Sequence, residues 1–191
     1  MSNGIIMITR YGAALWFCVA VTVFGASAPA GNVPDSYGEA MAWYGDEARA
    51  GNFEAQYLLA FALETGAQNA VDREQARIWY AAAAEQNHPR AQLRLAIMLV
   101  EGRGGAVDQP GARHWLEQAA EQGEIDAMSL LGFLLVTTEP IDTVAAYRWF
   151  SLAARTGDGA AAANLAALAA TMTADERATA EDDLEAWVAT H

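Results

Sequence analysis

One spacing governs this chain. Trp43, Trp79 and Trp115 stand 36 residues apart, and Trp149 follows 34 residues later. Ala40, Ala76, Ala112 and Ala146 keep the same step, as do Gly51, Asn87, Gly123 and Gly157. A further set, Ala55, Ala91, Ala127 and Ala161, is followed four residues on by Leu59, Leu95, Leu131 and Leu165, and then by Ala60, Ala96, Gly132 and Ala166. Asp72, Asp108 and Asp142 complete the period. Self-similarity on this scale marks an array of supersecondary units, each burying its apolar face against the next.

Each period divides into two helices. The first carries its alanine, leucine and small residue at i, i+4 and i+5, a stripe that faces a neighbouring helix. The small residue lets two backbones approach, so a bulky side chain at Ala96 or Gly132 is expected to overpack the contact by about 1–3 kcal/mol. The second helix places Ala76, Trp79, Tyr80, Ala83 and Ala84 on one wide apolar face. Between them, the glycines of 65–72 and 102–108 supply the positive backbone angles that stop the first helix. Asp72 then caps the second helix, with Gln75 placed for a capping box. A recurring Asp before every second helix needs only the helix N-terminus to explain it. The third turn, 136–142, is two residues shorter and has Pro140 but no glycine, which marks a stiffer, locally distorted loop.

The ends differ from the interior. Residues 36–52 align with a second helix alone, a half repeat; full repeats cover 53–88, 89–124 and 125–158; a last first-type helix and a cap occupy 159–191. Thr173 and Glu176 form a capping box that opens a final helix, whose Ala180, Leu184, Trp187 and Val188 share a face. Its acidic side, Glu181, Asp182, Asp183 and Glu185, suits the polar outer surface a terminal cap needs. Residues 31–191 therefore form one domain.

Residues 1–30 have a different character. They contain no acid and one base, Arg10, followed by the apolar run 11–25 and then Ala-Ser-Ala-Pro-Ala. This is the order of a secretory signal peptide cut after Ala30, with Met7 an alternative start to Met1. An uncleaved anchor is the competing reading, but the run is shorter than the roughly 20 residues that span a bilayer. The single cysteine, Cys18, falls in this run, so the exported chain has no thiol, no disulfide and no thiolate metal site. The expected location is outside the cytoplasm, in the periplasm.

With 24 acids against 11 arginines and no lysine, the net charge is -13, and no basic stripe exists to follow a phosphate backbone. No nucleic-acid partner is expected. His88, His114 and His191 have no ligand spacing, and neither a G-x-S-x-G elbow nor a P-loop is present, so neither catalysis, a metal nor a cofactor is expected.

The recurring A-x-x-x-L-G/A, G-x-G and D-x-x-x-A-x-x-W-x-x-x-A-A-x-x-G pattern resembles the Sel-1-like repeat, a relative of the tetratricopeptide repeat. Its fullest copy is Ala91, Leu95, Ala96, Gly102, Gly104, Asp108, Ala112, Trp115, Ala119, Ala120 and Gly123. The resemblance covers about residues 38–190, with departures at Asn69, Asn87 and the glycine-free third turn. It implies an all-α, right-handed α/α superhelix of about three full hairpins with terminal half repeats and a C-terminal capping helix. It also implies a non-catalytic adaptor or regulator that binds a protein or peptide in the bacterial envelope. Cysteine-rich members of the family have been linked to penicillin binding and β-lactam hydrolysis, and a thiol-free chain stands apart from them.

In such arrays the first helices line the concave surface, and the positions two before and two after the leucine face it. These are Tyr57, Phe61, Leu93, Ile97, Ser129 and Phe133, then Ala163 and Ala167. The row suits a docking peptide with an apolar face; equally, curvature can pack these side chains between hairpins as ordinary core. Glu54, Glu64, Arg90, Arg94, Glu101 and Asp126 lie beside it, either setting a partner's register or forming a solvated helix face. The alternative function is a cell-wall protein that binds or hydrolyses peptidoglycan, β-lactams or surface polysaccharide; a structural spacer is a third. Oligomeric state is left open.

Overall fold

The computed structural model describes residues 37–66 and 71–190, and the expected leader and His191 lie outside them. The described part is an all-α solenoid with no strand. Its helices are α1 (Tyr37–Arg49), α2 (Phe53–Thr65), α3 (Arg73–Glu85), α4 (Pro89–Glu101), α5 (Gln109–Glu121), α6 (Ile125–Thr137), α7 (Thr143–Arg155), α8 (Gly159–Thr171) and α9 (Ala174–Thr190). Each helix packs on the next as far as α8, and α9 folds against α7. No described helix is long and apolar enough to cross a membrane.

The core follows the repeat. Ala60 and Ala96 are fully buried, and Gly132 is buried against Phe150, where an added Cβ would stand 2.8 Å from the ring. Trp149 is buried, while Trp79 and Trp115 are partly buried and pack on the same cluster.

Turns are fixed by anchors. Gly66 and Gly102 end α2 and α4 at φ 73° and 67°, the left-handed region glycine reaches without strain. The N–H of the capping aspartate then bonds a leucine carbonyl of the first helix: Asp72 to Leu63 at 2.9 Å, Asp108 to Leu99 at 3.0 Å, Asp142 to Leu135 at 2.9 Å. The shortened third turn, with a cis Glu139–Pro140 peptide, thus reaches the same anchor. Asp72 accepts from the Gln75 N–H, but its own N–H is taken by Leu63, so the return half of a capping box has no donor to serve. Thr173 and Glu176 form the reciprocal pair in full. Asn87, at a position of the glycine set, adopts φ 63°, which asparagine tolerates better than other side chains.

Two features differ from the sequence expectation. Val188 does not join the buried face of α9: Ala180, Leu184 and Trp187 pack inward, whereas Val188 is 46% exposed, one step further round the helix. The acidic side of α9 is also not purely solvated. Asp183 pairs with Arg148 of α7 at 2.7 Å, and Glu181 accepts from Tyr147.

A glutamine ladder joins consecutive hairpins. Gln56 donates to the Ala48 carbonyl of α1 and accepts from Gln86 of α3 at 2.8 Å. One period on, fully buried Gln92 donates to the Ala84 carbonyl and accepts from Gln122 of α5 at 2.7 Å. The ladder was present in the sequence as two Gln pairs of 30-residue separation, repeated at 36.

Candidate functional site on the first-helix face

The strip two before and two after the repeated leucines is unevenly exposed. Tyr57 and Leu93 are buried, at 7% and 8% exposure. Phe61 and Ile97 are partly buried on the core, and Ser129 is partly buried with its hydroxyl donating to Asp158. Phe133 is 41% exposed, and Ala163 and Ala167 are exposed. The surface open to a partner is therefore narrower than the eight positions, and it centres on Phe61, Ile97 and Phe133.

The burial of Tyr57 has a visible cause. His88 caps α4, its Nδ1 accepting from the Ala91 N–H at 3.2 Å, so Nε2 carries the hydrogen and donates to Glu54 at 3.0 Å. The fixed imidazole stacks on Tyr57 with centroids 4.7 Å apart, and the Tyr80 ring centroid lies 5.8 Å from that of Tyr57. Burial raises the Tyr57 phenol above its usual range, with Arg94 and Arg90 pulling the other way. Spacing alone assigned His88 no role; Phe53 and Glu54 complete its surroundings from a period away.

The flanking charges separate into engaged and open groups. The hydrogen bond from His88 holds the Glu54 carboxyl below the usual carboxylate range against the opposing effect of burial, with the charge of Arg90 helping. Glu64 is buried, accepting from Tyr80 at 2.8 Å and pairing with Arg103 at 2.8 Å. Burial first, and then the Glu64 charge, push the Tyr80 phenol far upward, so it stays a donor. Glu101 pairs with the same Arg103 at 3.3 Å. Arg90 and Asp126 are exposed, and the Arg94 guanidinium lies over Phe61, 5.5 Å from the ring centroid.

On the opposite side, open clefts separate successive second helices. One of about 500 Å³ lies between α7 and α9 over Leu165, and one of about 470 Å³ lies between α3 and α5 over Leu95. The two leucines hold equivalent repeat positions, so these clefts belong to the array's geometry. Among the described residues no three of His, Cys, Asp or Glu gather in a metal-holding group.

A Sel1 repeat model matches the chain at residues 53–88, 89–124 and 125–158. The chain is similar to a crystal structure of a Sel1 repeat protein from Oxalobacter formigenes, with 31% identity and a TM-score of 0.65 over 70% of this chain and 56% of that one. It is also similar to c5321, a protective antigen present in uropathogenic Escherichia coli strains and displaying an SLR fold. There the identity is 27% and the TM-score 0.51, over 78% of this chain and 40% of that one. The chain thus spans about half the length of the solved relatives it matches. No curated protein matches it.

Proposed function

Because the chain belongs to the Sel1 repeat family, we propose that it is a non-catalytic adaptor or regulator of the bacterial cell envelope that holds a protein or peptide on the face of its first helices. Proteins of this family are generally interaction scaffolds and typically not enzymes. The observation that carries the reading is the row Phe61, Ile97 and Phe133, large apolar side chains at repeat spacing that the packing leaves partly or largely open. Such a row offers anchors for the apolar side chains of a docked segment. Export rests on the sequence of residues 1–30.

The test is affinity capture from envelope extract by the tagged chain, beside a Phe61→Ala, Ile97→Ala, Phe133→Ala variant, followed by direct binding of the captured protein. A partner that binds the purified chain and loses affinity for the folded variant is the expected result. Equal binding by both removes the face from the function. Mass measurement of the secreted chain tests cleavage after Ala30.

A further inference from the structure

We propose that His88 is an acid-sensitive cap: a second proton on its imidazole removes the acceptor that starts α4 and frays that helix's first turn. The device concerns the array itself and stands apart from the scaffold reading. The two ring nitrogens have opposite duties. Nδ1 accepts from the Ala91 N–H at 3.2 Å, while Nε2 donates to the Glu54 carboxylate at 3.0 Å. The neutral ring with its hydrogen on Nε2 can do both, whereas an imidazolium donates from each nitrogen and accepts at neither.

Nothing nearby replaces the lost acceptor easily. His88 is 6% exposed and Ala91 is fully buried, so the freed N–H faces a proton instead of water, and a buried donor without a partner destabilises the fold. The surrounding charges divide. Glu54 of α2 and the stacked face of Tyr57 attract an imidazolium, but the Glu54 side chain is 40% exposed, which weakens its pull. Neither gives Ala91 an acceptor. Arg90 and Arg94 of α4, whose charges are felt at Tyr57, and the positive end of α4 itself oppose a cation there. The phenols of Tyr57 and of Tyr44 on α1, both raised by burial, bring no charge, and α3 contributes the Ala83 carbonyl, which the His88 backbone N–H bonds at 3.2 Å.

The repeat does not demand a histidine. The residues in register are Asn52, Glu124 and Asp158, and Asn52 and Asp158 cap their helices with side-chain oxygens. Amides do not titrate, and carboxylates do so at lower pH than an imidazole, the side chain whose charge ordinarily changes between about pH 5 and 8. The turn that frays also carries the buried Gln92, whose amide joins α3 to α5, so acid acts on a joint between repeats.

Amide hydrogen exchange of the full chain, read by NMR as protection factors at about pH 7.5 and 5.5, tests this. Protection of the Ala91 amide is expected to fall about tenfold or more on acidification in wild type and to hold in His88→Asn, which keeps a cap that cannot titrate. An equal change in both proteins, or no fall in wild type, overturns the proposal. Imidazole nitrogen shifts supply a second reading that needs no variant. A ring that is neutral with its hydrogen on Nε2 at the higher pH, and whose protonation tracks the loss of Ala91 protection, supports the device. A ring that takes up its proton while Ala91 stays protected overturns it, as does one that stays neutral until the whole fold unfolds.

Discussion

Tyr80 donates a 2.8 Å hydrogen bond to Glu64 across the packed faces of α3 and α2, and both side chains are more than nine-tenths buried. The remaining carboxylate oxygen is met by Arg103, which belongs to the turn after the next first helix. One buried charge thus ties two successive repeats. Arg103→Met leaves that charge without a counter-ion and is expected to cost about 2 kcal/mol, below the full value for a buried pair because Arg103 is partly exposed. Arg113→Met, which breaks the more exposed pair with Glu117, is expected to cost under about 1 kcal/mol. Urea unfolding of both variants checks the difference, and equal midpoints would remove Glu64 as a joint between repeats.

Gly132 faces Phe150 so closely that even a methyl group meets the ring at 2.8 Å. Gly132→Leu is expected to destabilise the fold by about 1–3 kcal/mol through overpacking. Adding Phe150→Ala makes room, so the double variant should lose less than the sum of the two single changes. Thermal melts of all four proteins measure that coupling, and simple additivity would contradict the contact.

The Glu54 carboxyl is held below its usual value of 4.5, chiefly by the hydrogen bond from His88. A depressed carboxylate stabilises the fold above its unfolded pKa, and the contribution disappears as pH falls through the folded value. Wild type and Glu54→Gln should therefore differ in urea midpoint at neutral pH and converge below 4.5. A gap of constant size across that range would show that the pair is not the source of the difference.

The solenoid was legible because its signals are local and repeated. Ala96 and Gly132 are small because another helix lies on them, and Asp72, Asp108 and Asp142 sit where a helix starts. What escaped was pairing at a distance. The engagement of Glu64 by an arginine 39 residues on depends on the tilt between hairpins, which no periodicity records. Burial likewise differs between matching positions: Phe133 is 41% exposed, whereas its equivalents Phe61 and Ile97 are only partly open and pack on the core. Sequence could name the face, but only packing could say which side chains remain available on it.

The glutamine ladder ends where the third repeat attaches to the second. Met128 and Ala162 follow Gln56 and Gln92 in register, and Thr156 follows Gln86 and Gln122, so neither half of the amide clasp exists there. An array of this kind opens one unit at a time, and each unit is only as firm as its seam. The first two seams are latched by paired amides, whereas the later ones are joined by pairs of another kind, Ser129 with Asp158 and Arg148 with Asp183.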